Sequence, residues 1–178
     1  SSIMGNTSNS ITHTGTIDFE HVDFGYTPSN VFMKDINIHI PGGSMVAIVG
    51  PTGAGKSICY QIPALIFSGV TIVISPLISL MKDQVDALNE VGIPATFINS
   101  TLSNSEYSQT IENIVHNVYK IIYVAPERLE NYEFLEFARQ VEISMVTVDE
   151  AHCISQWGQD FRPSYVKIVD FVKNLPGR

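Results

Sequence analysis

The sequence has few cysteines and no long apolar run. Its two cysteines, Cys59 and Cys153, form neither a CxxC pair nor a set with metal-spaced histidines. This excludes a disulfide-stapled scaffold and favours buried or free thiols of a reducing compartment. The most apolar stretch, residues 62–74, is interrupted by a proline, a serine and a glycine. No run therefore reaches the roughly 18 apolar residues that indicate a membrane-spanning helix.

Basic residues are also scarce. Lysine and arginine number 10 against 18 aspartates and glutamates, which gives a net charge of −8. A surface that binds nucleic acid usually carries a basic stripe, because lysine and arginine replace the counterions of the phosphates. We therefore expect nucleic-acid binding by this chain alone to be weak or absent.

The overall composition is that of a globular domain, with 44% hydrophobic and 16% charged residues. A chain of 178 residues can bury a core of its own. Residues 1–14 are polar and lack the charged-then-apolar layout of a signal peptide. We expect a disordered polar tail over residues 1–14, one domain over residues 15–178 and a cytoplasmic location without membrane contact.

The order of apolar patterns predicts an α/β fold. Two alternating stretches, TIDFEHVDF and VFMKDINIHI, flank turn residues and predict a short antiparallel strand pair. Five continuous apolar runs then predict parallel strands covered on both faces: MVAIVG, TIVIS, ATFIN, IIYVA and MVTVD. Helical spacing appears at about residues 56–67, 78–91, 105–117, 131–140 and 164–174. Together these patterns predict a three-layer sandwich with a mostly parallel sheet.

The segment GPTGAGKS, residues 50–57, satisfies the pattern G-x-x-x-x-G-K-[ST] of a P-loop. In such a loop the backbone N–H groups surround phosphate oxygens, and the following helix directs its positive end at the same anion. The lysine reaches the β- and γ-phosphates, and the final hydroxyl can bind Mg²⁺. We therefore predict a RecA-like P-loop NTPase fold that binds ATP or ADP with Mg²⁺ through Thr52, Gly53, Ala54, Gly55, Lys56 and Ser57.

A second motif, MVTVDEAH, ends an apolar run with two carboxylates. In a parallel sheet such residues lie at the carboxyl edge, where ligands bind. Asp149 is predicted to hold Mg²⁺ opposite Ser57, and Glu150 to be the catalytic base that orients or deprotonates the attacking water. The alternative is a solvated loop, which would explain the same residues in a chain without a P-loop.

Five stretches occur in order along the second part of the chain: GKSICYQIPAL, ISPLISLMKDQV, FINSTLS, YVAPERL and VDEAHCISQWGQDFRPSY. Together they resemble the first motor lobe of a RecQ-type DNA helicase. The resemblance implies that Trp157, Phe161 and Arg162 belong to an aromatic-rich loop that contacts single-stranded DNA. The alternative for that loop is one folded onto the sheet or disordered. Arg128, which follows Glu127, is interpreted as a member of a structural ion pair, and the alternative is a trigger of ATP hydrolysis.

Before the P-loop the pattern changes. The stretch GTIDFEHVDFGYTPSNVFMKDINIHIPGGSMVAIVGPTGAGKS resembles the start of an ABC-transporter nucleotide-binding domain. This resemblance implies that Tyr26 stacks on adenine, whereas the alternative is an ordinary aromatic residue at a strand end. Because the two patterns meet inside the P-loop, we hypothesise an engineered or recombined chimera. The alternative is a natural helicase lobe with an unusual N-terminal strand pair.

Each of the two segments lacks motifs that are used by the family it resembles. The sequence contains no LSGGQ-like signature, and it ends before a second helicase lobe with its arginine finger. Since such a finger contributes about 10³–10⁵ in rate, we expect at most slow ATP hydrolysis and no helicase or transport activity by this chain alone. The alternative is a weak single-stranded DNA-binding module with a vestigial P-loop.

Overall fold

The computed structural model describes residues 15–27, 30–49, 55–151 and 162–175. Contacts within the chain define two compact units, Ser1–Ala54 and Gly55–Arg178. The division between them falls inside the P-loop, close to the point where the two sequence patterns meet. The prediction of one domain over residues 15–178 stays a prediction. None of the described helices is long and apolar enough to cross a membrane.

The first unit contains the predicted antiparallel strand pair. Strands β1 (Ile17–Thr27) and β2 (Asn30–Ile40) pair with several breaks in register. His21 and Asp35 adopt left-handed backbone conformations, with φ of 50° and 51°. The His21 ring lies 2.6 Å from the Asp35 carboxylate, and this hydrogen bond holds the Asp35 pKa below its usual value. The bulged middle of the hairpin is thus joined by side chains where its backbone ladder is interrupted.

The strand predicted for MVAIVG is absent from the described part of this segment. Residues 45–49 have no regular secondary structure, and the side chains of Met45 and Val49 are 81% and 92% exposed. An apolar run indicates which residues could be buried in a sheet. A strand forms only where its N–H and C=O groups meet those of a neighbouring strand, and sequence periodicity does not supply that neighbour.

The second unit contains a four-stranded parallel sheet in the order β4–β5–β3–β6. Its strands are β3 (Val70–Ile74), β4 (Ala95–Ile98), β5 (Ile121–Val124) and β6 (Ile143–Val148). All pairs are parallel, and β3 and β5 are buried along their whole length. This confirms the predicted parallel strands from TIVIS onward and explains their continuous apolar runs, since both faces of the sheet are covered.

Among the described residues, five helices cover the two faces of this sheet: α1 (Ile58–Ile66), α2 (Ile78–Glu90), α3 (Asn104–Val115), α4 (Tyr132–Gln140) and α5 (Arg162–Lys173). Helices α1 and α2 pack on the face that carries Val73, Ile121 and Tyr123. The other three pack on the face that carries Ile72, Ile74 and Val124. The predicted three-layer sandwich is confirmed, and each predicted helix boundary lies within two residues of the observed one.

Two helices on the second face begin with caps that the sequence encodes locally. Ser103 accepts a hydrogen bond from the Glu106 backbone, and the Glu106 carboxylate accepts one in return from the Ser103 N–H. The same interaction lowers the pKa of Glu106. Asn131 accepts hydrogen bonds from the backbone N–H groups of Glu133 and Phe134 at the start of α4. These caps satisfy helix donors that would otherwise lack partners.

Gly69 lies where the start of β3 approaches β6. Its N–H donates to the Ser144 hydroxyl at 3.0 Å. A Cβ atom placed on Gly69 would lie 2.3 Å from the carbonyl oxygen of Glu142. The contact is with backbone, so a side chain cannot be accommodated by rotamer change alone.

We expect Gly69→Ala to lower the free energy of unfolding by about 1–3 kcal/mol, because the added methyl group forces β3 and β6 apart. Urea denaturation followed by circular dichroism measures the effect. Ser108→Ala, at an exposed position on α3, is the control and should change stability by no more than about 0.5 kcal/mol. Equal effects of the two substitutions would contradict the steric explanation.

Candidate functional site

The described part of the P-loop leads directly into α1. Gly55 has a φ of +76°, a conformation that suits glycine. The N–H of Ile58 donates to the Gly55 carbonyl at 3.0 Å, and the N–H of Gln61 donates to the Ser57 carbonyl at 3.0 Å. Ser57 occupies the N-cap position, yet its hydroxyl makes no capping hydrogen bond. The Ser57 side chain is therefore available for other partners.

The acidic motif follows β6 at the carboxyl edge of the sheet. The Asp149 N–H donates to the Ile74 carbonyl at 2.9 Å, which extends the β3–β6 ladder by one residue. The Asp149 carboxylate accepts a hydrogen bond from the Glu150 N–H at 2.9 Å. Glu150 has a φ of +51°, a left-handed conformation that is uncommon for residues other than glycine. The backbone thus turns sharply between the two carboxylates.

One buried tyrosine relates the two motifs. Tyr60, on α1, lies one helical turn after Ser57, and the negative charge of Asp149 contributes, after burial and Tyr123, to raising the pKa of the Tyr60 phenol. The residue is only 8% exposed. Tyr60 thus belongs to the helix that begins at Ser57, and its phenol is influenced by the charge of Asp149.

The Tyr60 phenol continues into a polar chain that crosses the core. Its oxygen lies 3.0 Å from the Tyr123 oxygen, and the Tyr123 hydroxyl donates to the Gln84 side-chain carbonyl at 2.9 Å. Burial raises the pKa of both phenols, and the negative charge of Asp149 raises them further. Both phenols therefore stay protonated at neutral pH.

The sequence analysis did not single out Tyr60, Tyr123 or Gln84. The sequence does contain a signal for Tyr60. It follows Ser57 by three residues, and residues three apart are neighbours on the surface of a helix. The partner tyrosine lies on a strand 63 residues away. A pairing over that distance in sequence is visible only in the folded chain.

The thiol next to Tyr60 is not a candidate nucleophile. Cys59 is buried and forms no disulfide. Burial raises the pKa of its thiol, and a thiol rather than a thiolate is a poor nucleophile. This confirms the prediction of a buried or free thiol for Cys59, whereas Cys153 lies outside the described residues.

The chemistry of the donor set fits Mg²⁺. A serine hydroxyl and an aspartate carboxylate are hard oxygen ligands, and Mg²⁺ commonly takes one or two carboxylates together with phosphate oxygens and water. In the described ranges, no group of three or more His, Cys, Asp or Glu side chains could hold a metal ion. Ser57 and Asp149 thus suit a cation that arrives with a nucleotide.

Several predicted site residues lie where the structure gives no description. These are Thr52, Gly53, Ala54, Trp157 and Phe161. Tyr26 belongs to β1 and Arg162 begins α5, but the predicted contacts of their side chains also fall outside what is described.

The ion pair predicted for Arg128 is wrong. In the part of the chain that the structure describes, the Arg128 guanidinium donates instead to the Asn99 carbonyl at 2.9 Å. It also lies 5.7 Å from the centre of the Tyr107 ring, within cation–π range. Glu127 and Arg128 are adjacent in a short 3₁₀ turn (Pro126–Arg128), and neighbouring residues in a helical turn point in different directions.

Arg128 also lines a cavity of about 460 Å³ beyond the ends of β4 and β5. The N-terminal residues of α3 and α4 contribute to it, so two helix dipoles direct positive ends toward this space. Its lining residues are Leu102, Asn104, Tyr107, Arg128, Asn131, Tyr132 and Glu133. Within the described residues, the Arg128 Nε has no hydrogen-bond partner.

Comparisons with known proteins find helicases. Residues 34–177 match the model of the DEAD/DEAH box helicase family. The chain is 60% identical over 129 residues to an ATP-dependent DNA helicase RecQ of Bacillus subtilis, covering 72% of this chain and 22% of that protein. It is 43% identical over 152 residues to an ATP-dependent DNA helicase RecQ of Pasteurella multocida, covering 85% of this chain and 24% of that protein. The chain thus spans about a quarter or less of the length of these relatives.

These matches confirm the RecQ-type resemblance and give no support for a transporter segment. The family match begins upstream of the P-loop, and an alignment over 85% of the chain also includes residues before that loop. The RecA-like P-loop NTPase fold is confirmed by the same family match together with the parallel sheet. The chain belongs to the DEAD/DEAH box helicase family.

Proposed function

We propose that this chain binds ATP or ADP together with Mg²⁺ at the carboxyl edge of its parallel sheet. The observations that carry the proposal are that Asp149 follows β6 at the carboxyl edge of the sheet, and that α1 runs from the P-loop toward the opposite edge, where Lys120 donates to the Phe67 carbonyl. The two motifs lie about ninety positions apart in the sequence. A P-loop serine beside a strand-end aspartate is the arrangement that P-loop NTPases use for a nucleotide-bound Mg²⁺.

In this proposal each residue has a defined role. The N–H groups of residues 52–55 and the ammonium of Lys56 hold the phosphates, while the Ser57 hydroxyl and the Asp149 carboxylate hold Mg²⁺. Bound Mg²⁺ neutralises charge on the phosphate oxygens. Glu150 orients a water molecule and accepts its proton at a carboxylate oxygen. Tyr26 stacks on adenine.

Turnover is proposed to be slow. The relatives are named as ATP-dependent DNA helicases, and this chain spans about a quarter or less of their length. Strand separation requires a second motor lobe that moves against the first, and an arginine finger contributes about 10³–10⁵ to the rate where one acts. We therefore propose nucleotide binding with slow hydrolysis, and no unwinding, for residues 1–178 alone.

The chimeric origin of the chain, with residues 15–57 derived from a transporter-like protein, stays a proposal. Its support is the transporter-like motif order before the P-loop, together with the division of contacts between Ala54 and Gly55. A natural helicase lobe is the alternative, and the family match that begins at residue 34 favours it. Searching sequences with residues 15–49 alone distinguishes the two. Matches confined to transporters support a hybrid, and matches to helicase lobes contradict it.

A second candidate function is contact with a single nucleic-acid strand at the cavity beside Arg128. The observation that favours it is the combination of the half-buried Arg128 and two helix N-termini around one cavity, because both attract phosphate. The aromatic-rich loop with Trp157, Phe161 and Arg162 is proposed to add stacking. Glu133 and the net charge of −8 oppose this binding, so we propose that it is weak.

We expect Lys56→Ala to weaken MgATP binding by roughly 10- to 150-fold, because a charge-assisted hydrogen bond contributes about 1.5–3 kcal/mol. Isothermal titration calorimetry of the parent chain and the variant measures the change. Lys82→Ala, at an exposed position on α2, removes an equal charge outside the P-loop and should leave the affinity unchanged. A folded Lys56→Ala variant with the parent's affinity would contradict the proposed site.

Glu150→Gln should leave nucleotide affinity within about twofold of the parent while slowing hydrolysis by roughly 10²–10⁴, the usual contribution of a general base. Single-turnover assays with labelled ATP suit a slow reaction. Glu90→Gln, at an exposed position on α2, is the matched control. Equal single-turnover rates for the parent and Glu150→Gln would exclude Glu150 as the base.

Arg128→Ala should weaken binding of a single-stranded oligonucleotide. It should also reduce the steepness with which the logarithm of the association constant falls with the logarithm of the salt concentration by roughly 0.7, the value for one phosphate contact. Fluorescence anisotropy at several salt concentrations measures both quantities. Arg139→Ala removes an exposed arginine that pairs with Glu136 on α4 and serves as the control. Identical salt slopes for the two variants would exclude a phosphate contact at Arg128.

A further inference from the structure

We propose that Lys120 is a positioning residue for the phosphate site, because it fixes the far end of α1, the helix that follows the P-loop. The Lys120 ammonium group donates to the Phe67 carbonyl at 3.0 Å and to the Ser68 carbonyl at 3.1 Å. These two residues directly follow the last residue of α1. The inference rests on the nucleotide site proposed above, since it concerns the helix whose start faces the phosphates.

Helix α1 is too short and too interrupted to keep its direction by itself. It has nine residues, whereas isolated helices shorter than about 12 residues are marginal in water. Pro63 lies inside the helix and has no N–H group, so the Cys59 carbonyl cannot receive the usual hydrogen bond from the residue four positions on. The direction of α1 must therefore come from contacts with the rest of the fold.

Apolar packing supplies such contacts only to the first part of α1. The four buried residues of the helix all lie at or before Ala64. Leu65 and Ile66, which end the helix, are 46% and 78% exposed. The half-buried Lys120 provides at this end the contact that apolar packing does not. A cation also suits the position, because the C-terminal end of a helix carries partial negative charge.

Both attachments of α1 come from one strand of the sheet. Near the start of the helix, the Tyr60 oxygen lies 3.0 Å from the oxygen of Tyr123 on β5. Lys120 immediately precedes the same strand. From Tyr60 to Phe67 the helix rises about 10 Å, and from Lys120 to Tyr123 the extended chain also covers about 10 Å. Because the two lengths match, β5 holds α1 at two points and fixes its direction along the sheet.

The connection after α1 is also held by residues at the start of β6. The Ser68 hydroxyl donates to the Glu142 carboxylate at 2.6 Å, and the Gly69 N–H donates to the Ser144 hydroxyl at 3.0 Å. Lys120 therefore attaches the end of α1 at a place where the chain is already joined to the sheet.

A helix that is fixed at its far end keeps its N-terminus in one place. The loop N–H groups and the positive end of α1 bind phosphate strongly only where they converge on the same oxygen atoms. Without Lys120, α1 would remain attached at Tyr60 but could tilt about that point, which would move its first turn. Loss of Lys120 should therefore weaken phosphate binding, although this side chain lies at the opposite end of the helix from the phosphates.

The test is calorimetric titration of MgATP into the whole chain. Lys120→Met keeps the apolar length of the side chain and removes its charge and donors. We expect it to weaken MgATP binding by roughly 5- to 10-fold, the lower end of the usual coupling between separate sites. Lys120→Arg retains a cationic donor and should recover most of the affinity.

Hydrogen exchange of the chain without nucleotide reports on the attachment itself. The Phe67 N–H donates to the Pro63 carbonyl at the end of α1. In Lys120→Met this amide should exchange roughly 10-fold faster, as expected for the loss of a charged hydrogen bond beside it. If Lys120→Met does not fold, Lys120→Gln carries the same comparison with a neutral side chain that is one bond shorter.

Two controls separate positioning from charge and from stability. Lys82→Met, at an exposed position on α2, removes an equal charge away from α1. Asn131→Ala removes the cap of α4, which packs on the other face of the sheet, and lowers the melting temperature without a change near α1. Both variants should bind MgATP with the affinity of the parent chain.

The outcomes distinguish this inference from the proposed function. A parent chain that binds MgATP, together with a folded Lys120→Met variant of equal affinity, would overturn the positioning role alone. Equal losses of affinity in Lys120→Met and Asn131→Ala would indicate a general effect of stability and would also contradict positioning. A folded parent chain that binds no MgATP would overturn both proposals.

Discussion

The parallel pairing of β3 with both β5 and β6 is the constraint on which the candidate site depends. Because β3 lies between these strands, its carboxyl end meets theirs at one edge of the sheet. The Asp149 N–H continues that ladder by donating to Ile74. The acidic motif is thereby held by the sheet backbone, and α1 packs on the face next to it. A site built on such rigid elements is held more precisely than one formed by loops alone.

The two faces of the sheet combine packing with polar groups in different ways. The face under α3, α4 and α5 has an aromatic cluster in which Phe134 contacts Phe137 and Phe171, with ring centres 5.4 and 5.6 Å apart. The face under α1 and α2 includes the two hydrogen-bonded tyrosines. Buried polar groups are tolerated when each has a partner, and a satisfied network also favours one arrangement of its core. The polar network thus lies on the face that carries the P-loop helix.

The sequence predicted local structure well where local physics dominates. Helical spacing predicted α3 and α4, and the caps at Ser103 and Asn131 are a local reason why these helices begin where they do. The strand predicted for MVAIVG was wrong because the run specifies apolar residues without specifying a partner strand. The Glu127–Arg128 pair was wrong because adjacency in sequence is not contact in a turn, and the guanidinium reached the Asn99 carbonyl instead.

By itself, the sequence determined the motifs and the alternation of strands and helices. Both arise from interactions over a few residues: backbone geometry at glycine, helix periodicity and the apolar runs of covered strands. Tertiary structure decided where the acidic motif lies, because the Asp149 N–H donates to Ile74 only once β3 and β6 have paired. It also decided that Tyr60, Tyr123 and Gln84 form one chain, since they lie on α1, β5 and α2. Hydrogen bonds depend on distances of about 3 Å between atoms, and only the packed fold sets such distances for residues far apart in sequence.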